Sequence, residues 1–106
     1  MGKFTIAIHG GAGTILKSDM APELEAAYKE GLKTALDAGF SVLEQGGNSV
    51  NAVKASLVIL EDHVLFNAGR GSVFTKKGVQ EMDAAIMDGS SMKAGAVAGI
   101  HNVRNP

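Results

Sequence analysis

The sequence contains no cysteine. This absence excludes a disulfide framework, a thiol nucleophile, and zinc or iron–sulfur sites with cysteine ligands. An excess of charge of one sign is also missing, because ten basic and eleven acidic residues leave a net charge of −1. Without a basic field, neither nucleic acid nor an anionic membrane surface is expected as a partner. The longest strongly apolar run, residues 55–60, is far too short to cross a bilayer.

The first residues give no sign of a secretory leader. Residues 1–3 run directly into a strand-like segment, without an apolar leader region followed by a small-residue cleavage site. We therefore expect a cytoplasmic protein. The three histidines, His9, His63 and His101, are scattered and lack the spacing of a metal-binding motif.

Enough apolar residues are present for a buried core, since they make up 45% of the 106 residues. Alternating apolar residues predict a buried strand over residues 3–9. Apolar residues spaced by three or four then predict a helix that begins near Ser18 or Asp19 and ends at Gly46. A second helix is predicted from Asn48 or Ser49 to about residue 62, and its wide apolar surface leads us to expect that it is covered on most sides.

The remainder of the chain has the pattern of strands joined by tight turns. We predict strands over residues 72–75, 79–88 and 92–103. The order of strand, two helices and three strands indicates a layered α/β (α+β) fold with helices on one face of a sheet. Nothing in the chain is predicted to cover the other face, so we expect residues 1–106 to form one incomplete domain of a larger unit.

Two loops are candidate functional sites. The glycine-rich loop at residues 9–13 follows a strand, like a phosphate-binding loop, but its spacing fits neither the dinucleotide-binding pattern nor the P-loop pattern. A tight turn is the favoured interpretation. Asn67 lies between Phe66 and Ala68 in an irregular loop, where its amide can either stabilise a turn or hydrogen-bond a ligand or oxyanion.

The acidic residues do not form an evident catalytic pair. Asp83 and Asp88 are five positions apart on one predicted strand and so point to opposite faces. Asp88 precedes Gly89 and is interpreted as a turn residue, whereas Asp83 would need hydrogen-bond partners if buried. The sequence at residues 61–63, Glu-Asp-His, is interpreted as a solvated helix end rather than a metal site.

Four segments, in this order, resemble one known family: IHGGAG at residues 8–13, LFNAG at 65–69, EMDAAIMDG at 81–89 and KAGAVAG at 93–99. The family is the plant-type L-asparaginase and isoaspartyl peptidase family of N-terminal-nucleophile hydrolases. The resemblance extends over residues 2–106 and implies the N-terminal part of an αββα four-layer sandwich.

The family resemblance also implies a mechanism. A precursor cleaves itself before a threonine, which becomes the free N-terminus of the β subunit and attacks the amide of L-asparagine or the carbonyl of an isoaspartyl dipeptide. Two αβ units then form a homodimer. The family's nucleophile lies in a Gly-Thr-Val-Gly motif, whereas the only Gly-Thr pair here, Gly13-Thr14, is followed by Ile15. This chain, the start of the α subunit, is therefore expected to be inactive alone.

Several residues of this chain match positions with supporting roles in the family. Asn67 matches an asparagine that lines the active site near the nucleophile. His9, Gly10 and Gly11 match the loop behind the scissile threonine, which is linked to self-cleavage. The loop of residues 60–70 matches a sodium-binding loop, in which the resemblance assigns the ion to the backbone carbonyls of Leu60, Glu61, His63, Phe66, Ala68 and Arg70.

Two other hypotheses belong to different classes of protein. The chain would be a non-catalytic remnant that at most binds a partner, if no nucleophile-bearing segment follows residue 106. Alternatively, the loop of residues 10–13 would make it a phosphate-binding module, which the failed spacings disfavour.

Overall fold

The computed structural model describes residues 2–13 and 16–106, so Thr14 and Ile15 lie outside the described residues. The described part contains a 3₁₀ turn at Lys17–Asp19, helices α1 (Pro22–Glu44) and α2 (Ser49–Asp62), and strands β1 (Met82–Asp88) and β2 (Lys93–Ile100). The two strands pair antiparallel in one sheet.

The helix ends follow from local sequence signals, with one correction. α1 begins at Pro22, whose missing N–H costs nothing in a first turn, and not at Ser18 or Asp19, which form the 3₁₀ turn. α1 ends at Glu44, and Gly46 follows with a φ of 83°, a left-handed conformation that glycine adopts without strain. At the start of α2, Asn48 Oδ1 accepts the backbone N–H of Asn51 at 2.8 Å, as expected for an N-cap.

The core lies between the two helices. Ala35 and Leu60 are buried together with Phe66, which follows α2, and Ile8 packs against this cluster from the N-terminal segment. Gly39 of α1 faces Ser56 and Ala52 of α2, and a Cβ atom at position 39 would overlap the Ser56 hydroxyl. Small residues therefore set the separation of the helices.

The hairpin of β1 and β2 contains one irregularity. Met82 pairs with Ile100 and Ala84 pairs with Val97, so β2 carries one extra residue between these pairs. Gly99 takes up the extra residue with a φ of 62°. Its backbone N–H donates to Asp83 Oδ1 at 2.8 Å, which gives this carboxylate a partner although it is exposed.

Asp88 stabilises the turn after β1, as the sequence predicts. Asp88 accepts hydrogen bonds from the backbone N–H and hydroxyl of Ser90 and from the hydroxyl of Ser91. These bonds lower the pKa of the Asp88 carboxyl, the Ser91 bond most, because they favour the ionised form.

Two predicted strands do not form. Residues 3–9 form no regular element and pair with no other described segment, and residues 72–75 contribute one isolated bridge between Phe74 and Gln80. A strand forms only if a neighbouring segment satisfies its backbone hydrogen-bonding groups. Residues 6–9 have no such neighbour, because a cavity of about 330 Å³ separates them from residues 85–87 of β1. Of the three strands predicted after residue 71, two form, and they pair as a two-stranded hairpin.

The expectation that α2 is covered on most sides is also wrong. Val53 and Leu57 are 45% and 40% exposed, because the face they occupy points towards the open space beside β1. Ile86 and Val97 of the sheet are exposed to a similar extent. Among the described residues, no helix is long and apolar enough to cross a membrane.

Candidate active site

The segment that carries Asn67 is a series of turns directly after α2. Phe66 anchors this segment in the core, where its ring packs edge-on against Tyr28 at a centroid distance of 5.7 Å. The backbone N–H of Arg70 donates to the carbonyl of Glu61 at 2.7 Å and so closes the segment back onto the end of α2. The loop is therefore held on both sides of Asn67.

Asn67 has a defined orientation, because one end of its amide is already engaged. Its Oδ1 accepts the backbone N–H of Val73 at 3.0 Å. A backbone N–H only donates, so the accepting atom is the carbonyl oxygen and the opposite end of the amide is Nδ2. Within residues 2–13 and 16–106, Nδ2 has no hydrogen-bond partner. This group is free to donate to a ligand or to an oxyanion.

A cavity of about 470 Å³ lies in front of Asn67 and is also lined by Ser72 and Asp83. The Ser72 hydroxyl is buried and has no hydrogen-bond partner in the described part of the chain. No base is therefore in place there to activate it as a nucleophile. The cavity offers hydrogen-bonding groups that can bind or orient, but it lacks a complete catalytic arrangement within the described residues.

The glycine-rich loop and the Asn67 loop are both held by the core cluster, but His9 and Asn67 line different cavities. Ile8, which precedes His9, packs against the core cluster that contains Phe66, which precedes Asn67. The same core therefore positions both loops. His9 nevertheless lines the 330 Å³ cavity beside β1, and Gly10 packs against the side chain of Leu32.

The distance in sequence between this glycine-rich loop and the first helix distinguishes it from a phosphate-binding loop. Gly11 has a φ of 121°, as expected for a glycine-rich turn, but α1 begins only at Pro22. The helix N-terminus that would face a bound phosphate does not directly follow the loop.

The carbonyl groups matched to sodium binding lie in a tightly wound loop. A Cβ atom at Gly69 would stand 2.5 Å from the carbonyl oxygen of Glu61, and one at Gly71 would overlap the carbonyl oxygen of Phe66. Both carbonyls accept one backbone N–H and keep a second lone pair. An all-oxygen donor set of this kind fits a hard cation. The other matched carbonyls belong to Leu60, His63, Ala68 and Arg70.

Side chains in this loop are engaged in packing rather than in a metal site. His63 Nδ1 accepts the backbone N–H of Leu65 at 3.2 Å, and its ring lies edge-on to Phe66. No group of three or more histidine or acidic side chains in the described part of the chain is arranged to hold a metal ion.

The end of α2 is not the solvated helix end that the sequence suggested. Glu61 is only 5% exposed, and its carboxylate accepts a hydrogen bond from Asn105 Nδ2 at 2.9 Å. Asp62 receives two hydrogen bonds from Arg104, which hold the pKa of the Asp62 carboxyl below its ordinary value. The partners are more than forty residues apart, so no local pattern could have indicated them.

Comparison with known proteins extends over the whole chain. The sequence model of a family described as Asparaginase matches residues 2–106. The chain is 48% identical over 104 residues to an isoaspartyl peptidase/L-asparaginase of Xenopus laevis, an alignment that covers 98% of this chain and 32% of the relative.

Bacterial and archaeal relatives are similar to this chain to about the same extent. An isoaspartyl peptidase of Escherichia coli is 46% identical over 106 residues, covering 100% of this chain and 33% of the relative. A plant-type L-asparaginase of Pyrococcus abyssi is 48% identical over 101 residues, covering 95% of this chain and 32% of the relative. The chain thus spans about one third of the length of the relatives it matches.

Proposed function

This chain belongs to the asparaginase family of hydrolases, and we propose that it forms the N-terminal part of an enzyme that hydrolyses isoaspartyl dipeptides and L-asparagine. The observation that carries the proposal is the match of residues 2–106 to relatives named for these two activities. The free Nδ2 of Asn67, held beside a cavity, supports it as a local feature.

The reaction in this proposal depends on a threonine beyond residue 106. Self-cleavage before that threonine frees its amine, which takes the proton of its hydroxyl as the oxygen attacks the substrate carbonyl. The Asn67 amide donates to the threonine or to the developing oxyanion. His9, Gly10 and Gly11 form the loop behind the cleavage point.

The proposal includes the larger fold and its partner. Residues 1–106 form an incomplete domain, which becomes part of a four-layer αββα sandwich when the β subunit covers the sheet. Exposed apolar side chains on α2 and on both strands supply the surface for this contact, among them Leu57, Ile86 and Val97. Two such αβ units pair as a homodimer in the cytoplasm.

A structural sodium ion completes the proposal. The carbonyls of the loop at residues 60–70 would hold it, and its contribution would be to fix the loop that presents Asn67. Because backbone oxygens bind the ion, the side chains of His63 and Arg70 do not enter the coordination.

The decisive experiment starts from the reading frame beyond Pro106. The complete protein should contain a Gly-Thr-Val-Gly motif, and purified protein should separate into two chains whose smaller member begins with threonine. It should release aspartate from an isoaspartyl dipeptide and ammonia from L-asparagine. A Thr→Ala variant of the nucleophile is the control and should remain one inactive chain. An unprocessed wild-type protein without either activity would contradict the proposal and favour a non-catalytic remnant.

A further inference from the structure

We propose that the Glu61 side chain is a positioning residue for Asn67, because it ties the loop that carries Asn67 to the segment after β2. The inference deepens the proposed hydrolase function and rests on it. It starts from a carboxylate that is almost completely buried in a chain with a small core.

The Glu61 carboxylate has one side-chain partner in the described part of the chain. Asn105 Nδ2 donates to Oε2 at 2.9 Å and also lies 3.2 Å from an oxygen of Asp62. A buried carboxylate that loses its donor pays the full desolvation cost, so the bond from the exposed Asn105 is important for Glu61. Arg104 is 81% exposed in its pairing with Asp62, and such a surface pair contributes little. Glu61 and Asn105 are therefore the structurally important pair.

The backbone of Glu61 is joined to the other end of the Asn67 loop. Its carbonyl accepts the N–H of Arg70, and Gly69 packs against the same carbonyl and against the Glu61 Cβ atom. Glu61 and Asn67 line the same 470 Å³ cavity. Because the loop is tightly packed against Glu61, a displacement of Glu61 should also displace Asn67. Asn105 holds the Glu61 side chain in place.

The test uses the complete, self-cleaved protein and the variants Glu61→Ala, Glu61→Gln and Asn105→Ala. These substitutions leave the backbone carbonyl of residue 61 in place. Glu61→Ala and Asn105→Ala should lower kcat by about tenfold to a hundredfold with little change in KM, because misplacing a group that acts in the transition state has effects of this size. Glu61→Gln keeps the length and the accepting oxygen and should restore most of kcat.

Val50→Ala is the matched control, because Val50 lies on the same helix about three turns before Glu61 and lines neither the cavity that Glu61 shares with Asn67 nor the one that it shares with Asn105. It should lower the melting temperature with kcat near the wild-type value. Hydrogen exchange gives a second readout: amides of residues 67–73 should exchange faster in Glu61→Ala and Asn105→Ala than in wild type or Val50→Ala.

The outcomes separate the two proposals. Wild-type kcat in Glu61→Ala, or equal kcat losses in Glu61→Ala and Val50→Ala, would overturn the positioning role. If the wild-type protein hydrolyses neither substrate, the proposed function fails, and exchange rates then decide the link between Glu61 and the loop by themselves. Unchanged exchange in Glu61→Ala and Asn105→Ala would refute that link.

Discussion

Asn67 can be tested by two substitutions that separate its two hydrogen-bonding ends. Asn67→Ala removes both the acceptor for the Val73 N–H and the free Nδ2 donor. Asn67→Asp keeps an oxygen for Val73 but replaces the donor by a second oxygen. The pair of variants therefore distinguishes an amide that stabilises a turn from one that acts on the substrate.

The magnitudes make the distinction measurable. Loss of the Val73 hydrogen bond should cost about 0.5–1.5 kcal/mol of unfolding free energy, which lowers the melting temperature of Asn67→Ala by a few degrees. Asn67→Asp should retain that stability. If Nδ2 donates to the developing oxyanion, both variants should lose about 10²–10³ in turnover, because a donor of this kind contributes that much.

The assay has three parts on each preparation of the complete protein. Self-cleavage is followed by gel, the melting temperature by calorimetry, and turnover on an isoaspartyl dipeptide, with only fully processed protein compared. An Asn67→Asp protein that is processed normally and turns over at the wild-type rate would refute the reasoning and leave Asn67 as a turn residue.

Three further predictions concern other parts of the chain. The 106-residue chain alone should release no ammonia from L-asparagine above a buffer control, since the proposed threonine nucleophile lies beyond residue 106. In the complete protein, Gly71→Ala should destabilise by about 1–3 kcal/mol because its Cβ meets carbonyl oxygens, whereas Gly89→Ala, with open space around it, should stay within about 0.5 kcal/mol in the same denaturation assay. Arg104 lowers the folded-state pKa of Asp62, so the small stability from this exposed pair is present above pH 3.8, the ordinary value, and is lost as the pH falls through the lower folded value. Asp62→Asn should therefore flatten the acid limb of a pH titration of stability only slightly, and a steeper limb would count against the pairing.

The helices are predictable from the sequence because their signals are local. Asn48 caps α2 through an N–H three residues away, and Gly46 ends α1 through its own backbone conformation. Pro22 is equally local, and the one error in this region comes from preferring the side chain of Ser18 or Asp19 as a cap over the proline. Helix ends that depend on residues only a few positions apart can therefore be predicted from the sequence.

The prediction of a strand at residues 3–9 is wrong, and the burial of Glu61 is missed, for the opposite reason. Apolar alternation describes a strand that suits a sheet, but a ladder forms only if another segment lies alongside. Glu61 is buried because Asn105, distant in sequence, donates to it. The loop position of Asn67 is predictable from its neighbours, whereas the Val73 bond that fixes its amide depends on the course of the loop.

The exposed apolar faces of α2 and the hairpin have a consequence for how the protein is made. If the complete protein has the length of its relatives, about two thirds of it leaves the ribosome after these residues. At about 5–20 residues per second, that synthesis takes roughly 10–40 s, during which α1 and α2 can pack through contacts near in sequence. The hairpin and residues 3–9 meanwhile present backbone groups without strand partners to other nascent chains, so a chaperone that shields this first third should raise the yield of folded protein.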